Sequence, residues 1–172
     1  MKDLGKDYKF AKQLQLRFEE THIRKSKAAQ QIHVAASTMS DYINGEYAVS
    51  HDSKKALASM LGGLALRWSS GRADFHIISF MDDPKLRADV FAAIVSAKKE
   101  ERERLEQEQH YQELVIERPG YITRADQEFM DSYWKNAIEE VAAEITKLIR
   151  LAKYEGRDPQ PLIDAFNDAL GG

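Results

Sequence analysis

Glycine and proline, the residues that interrupt regular backbone, number only 9 and 4 in 172 residues, and most of them stand where helices should begin or end. Asp83-Pro84 and Asp158-Pro159 each set a side-chain acceptor at an N-cap and a proline at the first helical position. Thr123 followed by Asp126 has the spacing of a capping box, with Asp in place of the usual Glu or Gln. Gly62-Gly63 and Gly156 suit helix C-termini, which favour a left-handed residue. Punctuation of this kind predicts an all-α chain with helices over 6–20, 25–31, 36–43, 53–61, 84–113, 124–155 and 159–169. Residues 64–81 are more ambiguous, because Phe75-His-Ile-Ile-Ser-Phe-Met fits a buried helix or a short strand; helix is preferred. Leu114 to Ile122, with its Pro119-Gly120 turn signal, joins two long helices.

Composition excludes several classes of protein. Hydrophobic residues are 43% and charged residues 31% of the chain, the balance of a folded protein and not of a disordered one. The absence of cysteine removes disulfides, thiolate nucleophiles and thiolate metal sites, and fits a reducing cytoplasm. The polar start Met1-Lys-Asp-Leu-Gly-Lys-Asp is not that of a signal peptide. The apolar runs Phe75 to Met81 and Val90 to Val95 fall far short of the ~20 residues that cross a bilayer. A cytoplasmic protein without a membrane partner is expected.

The net charge of −3 argues against a uniformly basic coat for nucleic acid, yet the charge is uneven. Residues 1–55 carry 10 Lys and Arg against 7 Asp and Glu, a balance of +3, and the remainder carries −6. The run Lys98 to Glu113 sets opposite charges four apart at Lys99/Glu103, Glu100/Arg104, Arg102/Glu106 and Arg104/Glu108, as in a solvated helical arm.

The second long helix carries Met130, Trp134, Ile138, Val141, Ile145, Leu148 and Ala152, spaced 4, 4, 3, 4, 3 and 4, a seam of the coiled-coil type from Trp134 onward. Leu86, Val90, Ala93 and Ala97 form a shorter seam in the preceding helix. The two helices can pair within one chain or with a second copy. Phe91, Ile94 and Val95 make a second stripe that a two-helix layer leaves wet, so self-association through this region is expected, with Trp134, Ile138, Val141, Ile145 and Leu148 as its contact residues. Leu162, Ile163, Phe166 and Leu170 of the last helix are expected to cover part of it.

The segment from Ile23 to Gly45 is more specific. A short helix turns Ala28, Ala29 and Ile32 inward, a tight turn follows at His33-Val34, and a second helix turns in Met39 and Tyr42 or Ile43. Small residues such as Ala29 let two helices cross closely at a wide angle, which is the arrangement of a helix-turn-helix.

These residues resemble the lambda-repressor/Cro-type helix-turn-helix family, whose motif has the form Leu-Thr-Gln-x-x-Leu-Ala-x-x-Leu-Gly-Val-Ser-x-x-x-Ile-Ser-x-x-Glu-Asn-Gly. Ile23 stands for its first Leu, Lys25 for its Gln, Ala28-Ala29 for Leu-Ala, Ile32 for the next Leu, Val34 for Val, Met39-Ser40 for Ile-Ser and Asn44-Gly45 for Asn-Gly. Ser50, Leu57 and Leu61 fit the family's fourth helix, so the resemblance runs over residues 6–63, roughly a third of the chain. The chain departs from the pattern at His33 for the turn glycine, Ala35 for a capping serine and Ile43 for the usual Glu. His33 then has to take a left-handed backbone.

The resemblance implies a four- to five-helix DNA-binding domain over 1–65, followed by a long-helix dimerisation and regulatory region over 66–172. It also implies double-stranded DNA as partner, with the second motif helix in the major groove. The positions facing bases are then Ala36, Ser37, Ser40 and Asp41, with Asn44 and Lys25 on phosphates. Lys27, Arg24, Lys54 and Lys55 at the rim add sequence-independent attraction, and a dimer or higher homo-oligomer is needed to gather enough phosphate contacts. The alternative is a protein-binding module, an antirepressor or phage-encoded inhibitor, that keeps the motif as scaffold and binds a partner through its acidic C-terminal part. Enzyme chemistry finds little support. His22, His33, His51, His76 and His110 are scattered, no Gly-rich phosphate loop or nucleophile elbow is present, and no metal or other cofactor is implied.

Overall fold

The computed structural model describes residues 4–82 and 88–171, and among them the chain is all-α, with eight α-helices, one 3-10 turn and no strand. The helices are α1 (Leu4–Thr21), α2 (Lys25–Gln31), α3 (Ala36–Asn44), α4 (His51–Leu61), α5 (Leu64–Phe75), α6 (Val90–Val115), α7 (Arg124–Glu155) and α8 (Gln160–Ala169). The 3-10 turn, Pro119–Tyr121, lies between α6 and α7. They form two compact units that divide after Ser79 and after Gly156: α1–α5 with α8 in one, α6 and α7 in the other. None of these helices is long and apolar enough to cross a membrane.

The first unit closes around α1, which buries Phe10, Leu14 and Phe18 at steps of four residues along one face. Ala28 and Ala29 of α2, Met39 and Ile43 of α3, Val49, Leu57, Ala58 and Leu61 of the α4 region and Leu66 of α5 complete this core. Ile43, not Tyr42, is the buried member of the pair left open by periodicity.

Two links fasten the ends of these helices. The Arg17 guanidinium of α1 donates to the Leu61 carbonyl at 2.6 Å and the Gly62 carbonyl at 3.1 Å, satisfying oxygens that the end of α4 leaves without helical partners. Gly62 (φ 65°, ψ −165°) and Gly63 (φ 88°, ψ 124°) then reverse the chain into α5 through backbone conformations closed to most residues. A Cβ on Gly63 would stand 2.7 Å from Arg17 Nε, so this position needs glycine on two counts.

The domain boundary expected at residue 65 lies instead after Ser79, because α5 is part of the first core and the strand-free stretch behind it folds back. The Trp68 indole N–H donates to the Ile78 carbonyl at 2.7 Å, and the Lys9 ammonium donates to the Ser79 hydroxyl at 2.9 Å. The ambiguous segment 64–81 is thus helix to Phe75 and irregular beyond it. Helix α8, expected in the C-terminal region, also belongs to the first unit, where Arg67 pairs with Asp158 at 2.8 Å just before it. Asp158 accepts the Gln160 N–H at 3.1 Å as well, but the N-cap of α8 is Pro159, one residue later than the Asp158-Pro159 signal predicts, and it carries no side-chain cap.

The second unit is the hairpin of α6 and α7. Asp89 caps α6, accepting the Ala92 N–H at 2.8 Å; the expected cap Asp83-Pro84 and the seam residue Leu86 lie outside the described residues. The capping box at α7 is complete: Thr123 Oγ1 accepts the Asp126 N–H at 3.2 Å, and the Asp126 carboxylate accepts the Thr123 N–H at 2.9 Å. Pairings from Phe91 with Tyr154 at one end to His110 with Phe129 at the other make the hairpin antiparallel.

Which face of α7 meets α6 differs from the expected seam. Glu140 and Tyr133 lie against Arg104 and Glu108, Tyr133 stacks on Tyr111 with ring centroids 3.8 Å apart, and Ala143 of α7 is buried, as are Ala93 and Ala97 of α6. The bulkier seam is left on another side, and only its Ile145 is buried. Three of the four expected charge pairs of the arm form, Lys99–Glu103, Arg102–Glu106 and Arg104–Glu108; Glu100 pairs with Lys99 and leaves Arg104 to Glu108 and Glu140.

Candidate nucleic-acid interface

The unit α2–turn–α3 is built by two left-handed residues. His33 (φ 56°) ends α2; its N–H donates to the Gln30 carbonyl at 3.2 Å and the Val34 N–H to the Ala29 carbonyl at 2.9 Å. Gly45 (φ 73°) ends α3 in the same way, with Glu46 N–H on Asp41 at 2.9 Å and Gly45 N–H on Tyr42 at 3.3 Å. Both are Schellman closures. The histidine that replaces a turn glycine adopts the geometry expected of it, and Ala35 precedes α3 without a side-chain cap.

This geometry divides α3 into two faces. Met39 and Ile43 are buried, while Ala36, Ser37, Ser40 and Asn44 are exposed and Asp41 is half-buried. Ser40 donates its hydroxyl to the Ala36 carbonyl at 3.2 Å, which leaves its oxygen as an outward acceptor. Lys25 and Lys27, with Arg24 before them, are exposed at the start of α2. The site residues read from the sequence therefore share the open surface of one motif, with Asp41 the least accessible of them.

Lys54 does not belong to that surface. It is 5% exposed and donates to Asp74 at 2.7 Å, because the start of α4 packs against the end of α5. His51 Nδ1 meets the other Asp74 oxygen at 2.9 Å. Burial pushes the Asp74 carboxyl up, but the hydrogen bonds from Lys54 and His51 outweigh it and hold the group below the usual carboxylate range. Of the expected rim cations, Arg24, Lys25, Lys27 and Lys55 remain exposed.

Two exposed aromatics were not legible as surface. Tyr47 follows α3, and Tyr8 of α1 reaches within 3.8 Å of the Cβ position of Gly45. Tyrosine near a motif reads as core in a sequence, and only the packing places these rings outside. Among the described residues, no group of three His, Asp or Glu side chains is placed to hold a metal ion.

No family model, curated protein or solved structure matches this chain.

Proposed function

We propose that this protein is a sequence-specific DNA-binding transcriptional regulator of bacterial or phage type, acting as a dimer on an inverted repeat. The observation that carries the reading is the two-faced α3: Met39 and Ile43 hold it in the core while Ser37, Ser40 and Asn44 stand outward on a helix-turn-helix with exposed Lys25 and Lys27 beside it. Such a helix presents side chains to base edges in a major groove without disturbing the core that supports it. Ala36 suits a thymine methyl, Ser37 and Ser40 hydrogen-bond with little preference, and Asp41 accepts from cytosine N4.

With no Arg or Lys on α3, guanine is not read from this helix, and phosphate attraction rests on α2 and its surroundings. Dimerisation through the α6–α7 unit supplies a second reading head, and occupancy of a promoter-proximal site then blocks or assists polymerase. A protein-binding module remains the competing reading, favoured by the acidic second unit, whose 12 Lys and Arg face 17 Asp and Glu.

Fluorescence anisotropy on a panel of DNA duplexes, repeated across salt concentrations, tests the proposal. Selective binding is expected, and Ser37→Glu with Lys25→Glu should abolish it while leaving the fold intact, since both residues are exposed. Affinity that is nil, or equal for every duplex, would sink it; binding of a protein partner that survives the double substitution would favour the competing module.

A further inference from the structure

The side of α7 turned away from α6 is apolar and open. Trp134 is 57% exposed, Ile138 48%, Val141 45% and Leu148 52%; Phe91 and Val95 of α6 and the Tyr154 that meets Phe91 add exposed apolar surface elsewhere on the hairpin. Ile145 in the middle of the stripe is buried, while its other bulky side chains stand in water, exposed apolar surface of the kind that marks an interaction site.

We infer that this stripe docks on the same stripe of a second copy with the two α7 helices antiparallel, the twofold axis passing beside Ala143. The inference deepens the dimer in the proposed function and rests on it for its biological use, though not for its physics. In this register Trp134 meets the partner's Ala152 and Ile138 meets the partner's Leu148, with Val141 of each copy beside the axis; Ile145, 6% exposed, stays inside its own protomer. Each layer then combines a larger with a smaller or equal side chain, so the volume along the seam is even. A parallel pair would instead set Trp134 on the partner's Trp134 and Ala152 on the partner's Ala152, one layer overfilled and one hollow.

Charge selects the same direction. From Arg124 to Glu140, α7 carries 2 basic and 5 acidic residues; from Val141 to Glu155 it carries 3 basic and 2 acidic. Antiparallel docking lays the acidic half of each helix against the basic half of the other, and parallel docking lays like on like. The one like-charge meeting near the axis is Glu144 with its own copy, and that carboxylate is already paired with Lys147. An isologous interface of this kind closes at two copies and does not propagate into fibres.

The chain holds no cysteine, so single labels can be placed without background. Sedimentation of the full chain at about 50 µM, far above the Kd of a stable dimer, should give two copies. Ile138→Lys with Leu148→Lys should give one copy at unchanged helical circular dichroism, and Trp134→Ala should weaken association by about 30-fold. Spin labels in Glu144→Cys should lie close together, whereas those in Lys135→Cys should stand about 24 Å apart along the helix axis.

A monomeric wild-type chain, which would leave the stripe to a different protein, overturns the inference, and so do short label distances at both positions, which mean parallel helices. A dimer with the antiparallel distances but without DNA affinity supports it and removes the proposed function alone.

Discussion

Lys54 is the residue whose surroundings differ most from what its charge suggests. With Asp74 at 2.7 Å and side-chain exposures of 6% and 13%, the pair joins the start of α4 to the end of α5 inside the first unit. Asp74→Asn takes the carboxylate away from a nearly buried ammonium and should lower stability by about 2–3 kcal/mol, below the ~3–5 of a fully enclosed pair because Asp74 keeps some contact with water. The sign of the pH dependence follows from linkage. A carboxyl held below its ordinary value of 3.8 releases its proton more readily in the folded chain than in the unfolded one, so its contribution is present above that value. It is lost as pH falls from there through the depressed folded value. Denaturant titrations between neutral pH and pH 2–3 should therefore show a loss of stability that Asp74→Asn does not share.

At the scale of elements, ends matter more than interiors. The 32-residue α7 begins at a capping box in which burial plays no part, since Thr123 is exposed. The Thr123 hydrogen bonds hold Asp126 below the usual carboxylate range. Thr123→Ala removes the side-chain acceptor and should cost about 1 kcal/mol of stability, read as a drop in the urea midpoint with the slope unchanged. The box, the Gly156 stop and the Gly45 and Gly62-Gly63 reversals were legible because each depends on residues within a few positions of one another.

The start of α6 at Val90 and the end of α5 at Phe75 were less legible. Asp83-Pro84 is the stronger cap signal in the sequence and outranks Asp89, and the irregular stretch after α5 is held by Trp68 and Lys9, partners ten and seventy residues away. The face of α7 that meets α6 was hidden for a related reason. Periodicity ranks faces by hydrophobicity, whereas the hairpin selects the face whose Tyr133 and Glu140 meet Tyr111 and Arg104.

Across the whole molecule the net charge of −3 divides into a first unit of 13 Lys and Arg against 11 Asp and Glu and a second of 12 against 17. The first unit is mildly basic, and with Lys54 withdrawn the cations left exposed near the motif are Arg24, Lys25, Lys27 and Lys55. On the proposed reading, a dimer engaging two to four of these per protomer should show a slope of log affinity against log salt of roughly −4 to −7, and Lys54→Gln should leave that slope unchanged. Lys25→Gln should reduce it by about 1–2, one contact in each protomer.

By itself the amino-acid sequence determined the helical class, most helix boundaries and the two-faced motif at residues 25–45, because capping, turn geometry and hydrophobic period are local properties. Tertiary structure alone decided that α5 and α8 join the first unit, that Lys54 is spent on Asp74, and that the bulky stripe of α7 faces outward. Those outcomes depend on which distant surfaces fit one another, and shape complementarity between residues far apart in the chain leaves no periodic trace along it.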